Sequence, residues 1–116
     1  MSTCEHHLLP FIGVAHIAYI PNGKVLGTSK LNRVVEYYSR RPQVQERLTQ
    51  QIVTALKYIL NTEHVGIVIH ADHMCVKTRG VSDGSFMTTS SLSGAFKNDP
   101  TCRSEFMSLV NASQYR

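Results

Sequence analysis

Cys4 is followed at once by Glu5, His6 and His7, so a soft donor and two imidazoles stand within the first seven residues. Cys4-x-x-His7 is short enough for one turn to present a thiolate and an imidazole to a single metal ion, a pairing suited to zinc. Alone the motif is weak, and a reactive thiol or an accident of composition accounts for it equally well. His73-Met74-Cys75 repeats the donor types far along the chain, in a stretch of strand character. Period-two alternation sets His73, Cys75, Lys77 and Arg79 on one strand face. If that face meets the N-terminal turn, the donor pool is Cys4, His6, His7, His73 and Cys75. A structural zinc site closes its shell with four ligands, whereas a catalytic one keeps three and an open position for water. Two Cys and one His could ligate, leaving two imidazoles for acid–base work near neutral pH. A closed Cys/His structural site and surface histidines without a role are the plain alternatives.

Ser29-Lys30-x-x-Arg33 puts two cations at the start of an expected helix, where the helix dipole disfavours positive charge. A bound anion reverses that cost, because free N–H groups and cationic side chains converge on it. Arg79 is a further phosphate candidate. Solvated surface charge is the competing explanation. Gln45-Glu46 opens the next helix. A carboxylate in a first turn is ordinary dipole pairing, but it can also accept two N–H bonds from an amidine-like edge such as that of guanine.

The elements that must position these groups follow from patterning. Residues 11–20 are rich in β-branched and aromatic types, and Asn22-Gly23 between apolar stretches signals a tight hairpin. Ser29 reads as the N-cap of a short helix. Pro42 reads as the first residue of a long one, in which Val44, Leu48, Ile52, Ala55, Leu56, Ile59 and Leu60 recur at helical spacing. Strand character returns over Val65–Gly80, turns at residues 82–84 and continues through the Ser/Thr-rich stretch to Phe96. Asp99-Pro100 opens a last helix with Cys102, Phe106, Leu109 and Val110 on one face. The order β-β-α-α-β-β-α predicts an α+β fold, an antiparallel sheet with helices on one face. The 116 residues suit one domain, or a fragment that assembles with copies of itself, with 42% apolar and 17% charged residues and a net charge of +4. Such a balance suits an anionic ligand without choosing one. Three cysteines and no signal peptide argue against a disulfide framework, and no apolar run reaches a membrane span. A cytoplasmic, reducing setting without membrane contact is the expectation.

CEHHLLPF, VLGTSKLNRVVEYYSRRPQVQERLTQQI and HMCVKTRGV, in this order and spacing, resemble the catalytic half of GTP cyclohydrolase I, over roughly Ser2 to Val110. The resemblance implies a single catalytic domain over 1–116 with the tunnelling (T-) fold: an antiparallel sheet with a helix pair on one face. It also implies subunits joined edge to edge into a β-barrel ring, two pentamers stacking to a decamer. It implies zinc held by Cys4, His7 and Cys75, with His6 and His73 beside the metal as catalytic imidazoles. It implies guanine recognition by Glu46 with Gln45 beside it, and ribose and triphosphate contacts from Ser29, Lys30, Arg33 and Arg79. The implied reaction converts GTP and water to formate and 7,8-dihydroneopterin triphosphate, the first step of folate and pterin biosynthesis. Family members usually carry a further N-terminal helical region that these residues do not include, and Thr28 stands where they commonly have Leu. A hydroxyl there is expected to loosen packing beside Ser29.

Two other functions fit parts of the sequence. A pterin synthase or a 7-deazaguanine nitrile reductase would share the fold, which alone does not choose among chemistries; the Cys/His/Cys set with Glu46 and its cationic companions argues against both. A basic zinc-stabilised nucleic-acid module rests on charge alone. Tyr19, Tyr37 and Tyr38 do not alternate with basic residues, and no nucleic-acid motif is present.

Overall fold

The computed structural model describes residues 1–4, 10–73 and 86–114, with backbone alone at Pro10, Phe11, His73 and Gln114. In chain order the elements are β1 (Ser2–Cys4), β2 (Pro10–Tyr19), α1 (Thr28–Ser39), β3 (Pro42–Gln43), α2 (Gln45–Leu60), β4 (Val65–His73), β5 (Phe86–Leu92), α3 (Ala95–Asn98) and α4 (Pro100–Gln114). The strands form one sheet in the order β3-β1-β2-β4-β5. Its pairs are antiparallel except β1 with β3, which run parallel. The mixed α+β architecture of the sequence reading is therefore present.

Alternation along β4 divides the core in two. Val65, Ile67, Ile69 and Ala71 point to one face and pack with Leu48, Ile52, Leu56 and Leu60 of α2, while Leu31, Val34, Val35 and Tyr38 of α1 close the margin. Val68 points to the other face and packs with Phe96, Phe106 and Val110 from α3 and α4. Each large apolar side chain so buried contributes roughly 1.5–3 kcal/mol. Helices on one face thus describes α1 and α2 only. The C-terminal helices cover part of the opposite face, where the missing side chain of Gly66 admits the Phe106 ring.

The α2 stripe lies as its spacing predicts, except that Val44 is the half-buried N-cap before the helix, Ala55 is half-buried, Ile59 is exposed and Val53 takes a core place. Asn61 ends the helix in the left-handed region at φ 51°, its N–H bonded to carbonyls of the last turn. On α4, Asp99 accepts from Thr101 N–H, Phe106 and Val110 are buried and Cys102 packs beside them, but Leu109 is exposed.

Several expected boundaries differ. Asn22-Gly23 makes no hairpin: of the two only Gly23 has positive φ, the next element is α1 rather than a strand, and β2 pairs with the distant β4 instead. Asn22 Nδ2 donates to the Asn61 carbonyl at 2.9 Å, tying this loop to the end of α2. Gly27, not Ser29, is the N-cap of α1, and Thr28 is exposed at the first helical position, so its hydroxyl disturbs no packing. Pro42 does not begin α2. It sits in β3 opposite Thr3, and β3 is an edge strand, the place in a sheet that tolerates a residue without an N–H. The strand read through Phe96 ends at Leu92, and Ala95–Asn98 is a short helix.

Candidate active site

β1 lies between two partners, β2 and β3. Ser2 faces Phe11 and Thr3 faces Pro10 in β2, while Thr3 faces Pro42 and Cys4 faces Gln43 in β3. Ser2 is buried and its hydroxyl donates to the Arg41 carbonyl at 3.5 Å. These contacts put Cys4 in the core at 8% exposure as a free thiol. In the next ladder Phe11 faces His73, so the end of β4 is level with Ser2. β1 and β4 both run antiparallel to β2, so they share a direction, and Cys4 lies beyond that level on the side toward which β4 runs. The backbone therefore brings Cys4 and His73 to one end of the sheet. His6, His7, Cys75 and Arg79 lie outside the described residues, and among the described residues no group of three His, Cys, Asp or Glu could hold a metal.

The β3 strand feeds directly into α2, so Gln45 and Glu46 follow the partner of Cys4 by two and three residues. Their surroundings differ sharply. Glu46 is exposed in the first turn. No hydrogen bond or ion pair among the described residues engages its carboxylate. Gln45 is 1% exposed, and its Nε2 lies 3.1 Å from the Ile69 carbonyl, 3.0 Å from the Met87 carbonyl and 3.1 Å from Thr89 Oγ1. Carbonyl oxygens only accept, which fixes which end of the amide faces them. Gln45 thus anchors the first turn of α2 to β4 and β5, with Glu46 held above it.

Gln43 is a second buried amide. Its Nε2 donates to the Tyr38 carbonyl at 2.7 Å and to Gln51 Oε1 at 2.9 Å, and its Oε1 accepts from Arg47 Nε at 3.2 Å. It joins the end of α1, the edge strand beside Cys4 and α2. Sequence reading missed it, along with Thr49 and Thr89. A signal was present for Thr49: Gln45 and Thr49 fall in phase with Leu48 and Ile52, so both are polar residues on the apolar stripe.

The cations stand elsewhere. Ser29, Lys30 and Arg33 are exposed in the first half of α1. That helix approaches β3 through its other end, at Tyr38, and Ser29 is roughly 14 Å from there by helix rise. The start of α1 is tied instead to the far end of the sheet, where Leu26 N–H donates to Tyr19 Oη at 3.1 Å. No side chain caps α1, and its first turn holds no acidic residue. Within one chain, Cys4, His73, Gln45 and Glu46 share an end of the sheet that Ser29 and Lys30 do not reach. An open groove of about 550 Å³ along α2, between Tyr38, Arg47, Gln51 and Tyr58, contains none of the expected site residues. No helix of the described residues is long and apolar enough to cross a membrane.

Known proteins resemble the chain over most of its length. The family model described as GTP cyclohydrolase I matches residues 1–111. A protein of Synechococcus sp. (strain JA-2-3B'a(2-13)) named GTP cyclohydrolase 1 is 60% identical over 110 residues, 94% of this chain and 48% of its own length. One of the same name from Aeromonas hydrophila subsp. hydrophila is 59% identical over 107 residues, 91% of this chain and 49% of its own. A third, from Leptospira biflexa, is 54% identical over 115 residues, 98% of this chain and 63% of its own. The chain spans about half the length of the first two relatives.

Proposed function

The chain belongs to the GTP cyclohydrolase I family, and from that premise we propose that it is the catalytic part of a zinc-dependent enzyme converting GTP and water to 7,8-dihydroneopterin triphosphate and formate. The observation that supports this most is Glu46: an exposed carboxylate without a partner among the described residues, on a helix turn anchored by buried Gln45. Glu46 accepts the N–H groups of the guanine edge, and the charge on the carboxylate strengthens both bonds. Adenine lacks that donor pair, and a site built to fill it rejects the mismatch because polar groups are left unpaired.

Cys4, His7 and Cys75 would hold zinc, and the buried free thiol of Cys4 is a donor of the softness zinc takes. Zinc so bound supplies Lewis acidity that makes water nucleophilic at neutral pH. His73 or His6 gives a proton to nitrogen 7 of the purine, which makes carbon 8 electrophilic. Water adds there, the imidazole ring opens, a second water releases formate, and the carbonyl of the rearranged ribose condenses with the freed amine and gives one water back. Lys30, Arg33 and Arg79, with Ser29, hold the unreacting triphosphate, joined by the uncapped N–H groups of α1. The separation of α1's first turn from the Cys4 end favours a site shared between copies. A ring would bring α1 of one copy to the Cys4 end of the next, in keeping with a decamer of two stacked pentamers.

The test is to load the chain with zinc, supply GTP, and follow pterin fluorescence after oxidation while recording oligomer size in the same sample. Pterin formation with about one zinc per chain is expected. A chain that holds zinc, assembles and makes no pterin overturns the reading. Replacing His73 by Ala is expected to abolish turnover with zinc still bound.

A further inference from the structure

Thr49 and Thr89 close a circuit of hydrogen bonds around Gln45. Thr49 Oγ1 donates to the Gln45 main-chain carbonyl at 2.8 Å, which uses its single hydrogen. The 2.8 Å contact between the two threonine hydroxyls must then run from Thr89 to Thr49. Thr89 Oγ1 in turn lies 3.1 Å from Gln45 Nε2 and accepts a forked share of its two hydrogens, which also serve the Ile69 and Met87 carbonyls. The path leaves the Gln45 side chain, crosses Thr89 in β5 and Thr49 one turn along α2, and returns to the Gln45 backbone. Every hydroxyl both donates and accepts, an arrangement in which each bond polarises the next. Gln45 and Thr49 are each 1% exposed, in an interface otherwise filled by Leu48, Ile52 and the aliphatic face of β4. Apolar side chains would fill such a place without the risk that attends buried polar groups. The circuit fixes the backbone of the residue immediately before Glu46.

We infer that Thr49 and Thr89 are positioning residues for Glu46, so that β5 sets purine selectivity from beneath the helix without touching the nucleotide. This rests on the reading of Glu46 as the guanine-edge acceptor. Opening the circuit lets the first turn of α2 shift, and a carboxylate that meets two N–H groups at once loses more than one that meets a single group. Selectivity between GTP and inosine triphosphate, which lacks the 2-amino group, reads this directly.

The experiment measures dissociation constants of both nucleotides for the zinc-loaded full chain, for Thr89→Val, Thr89→Ser and Glu46→Ala, with thermal unfolding of each. Thr89→Val keeps the strand-favouring shape and removes the hydroxyl. It is expected to weaken GTP about tenfold and to shrink the GTP preference by about as much, with Thr89→Ser restoring both. A folded Thr89→Val whose preference stays within about twofold of the parent overturns the inference, as does a Thr89→Ser that fails to restore it. If Thr89→Val does not fold, Thr49→Val opens the circuit from the helix side and is judged by the same ratio; if neither folds, the circuit is a folding element and the positioning role is overturned. A Glu46→Ala chain that keeps its GTP preference, or a parent that binds neither nucleotide, overturns the guanine-edge reading itself, an outcome distinct from a silent Thr89.

Discussion

Gln43→Leu isolates the amide that braces the strand beside Cys4. Leucine nearly matches the volume and removes the polar atoms from a side chain that is 0% exposed. Gln51 is half-buried and Arg47 exposed, so both can turn to water, and each lost bond costs roughly 0.5–1.5 kcal/mol. The Tyr38 carbonyl is in the last turn of α1, where helical carbonyls lack intrahelical partners. Orphaning it costs roughly 1–3 kcal/mol. Leucine's own contacts offset part of this, leaving a loss of about 3 kcal/mol and a fall in Tm of roughly 10 °C. Thermal and urea unfolding of the zinc-loaded chain at one protein concentration measures it. Because Cys4 faces Gln43 across the parallel ladder, zinc affinity in a chelator competition should fall about tenfold as well. A stability change below about 0.5 kcal/mol, with zinc affinity unaltered, refutes the reasoning.

Glu46→Ala should weaken GTP binding at least about tenfold while zinc content by metal analysis stays unchanged, since the side chain is exposed and stands outside the proposed ligand set of Cys4, His7 and Cys75. Gly94→Ala should lose roughly 1–3 kcal/mol in urea unfolding: the position has φ 60°, and an added Cβ would press on the His64 ring and come within 2.6 Å of the Glu63 carbonyl oxygen. Ile52→Ala, at 0% exposure between α2 and the sheet, should cost roughly 2–5 kcal/mol in the same assay, without altering the ratio of GTP to inosine triphosphate affinity.

What could be read from the sequence follows from how local each signal is. The α2 stripe declares itself within sixteen residues, and Asp99 before Pro100 marks α4 unaided. The edge strand β3 has two residues and β1 three, and each exists only because the other and β2 come alongside. No window around Pro42 contains that information, so the proline carries the helix-start signal instead. Asn22-Gly23 failed for the same reason: β2 takes its partner from beyond two helices. At the site, residue types and order pointed to Cys4 and Glu46. Gln45 and Glu46 are adjacent, but only Gln45 is in phase with Leu48 and Ile52, and the fold buries it while leaving the Glu46 carboxylate facing solvent.

The ladder from Tyr19 opposite Val65 to Phe11 opposite His73 also bears on how the molecule reaches this state. Its strands flank the whole helical hairpin in sequence, so a long loop must close before any of its bonds repays the entropy lost. Helix α2 can form locally and offer an apolar stripe early, and β4 pairs with β5, the next described strand along the chain. β2 and then β1 have to find that platform from far along the chain. Folding rate should therefore track contact order through this one ladder, and the strand carrying Cys4 would be among the last to settle.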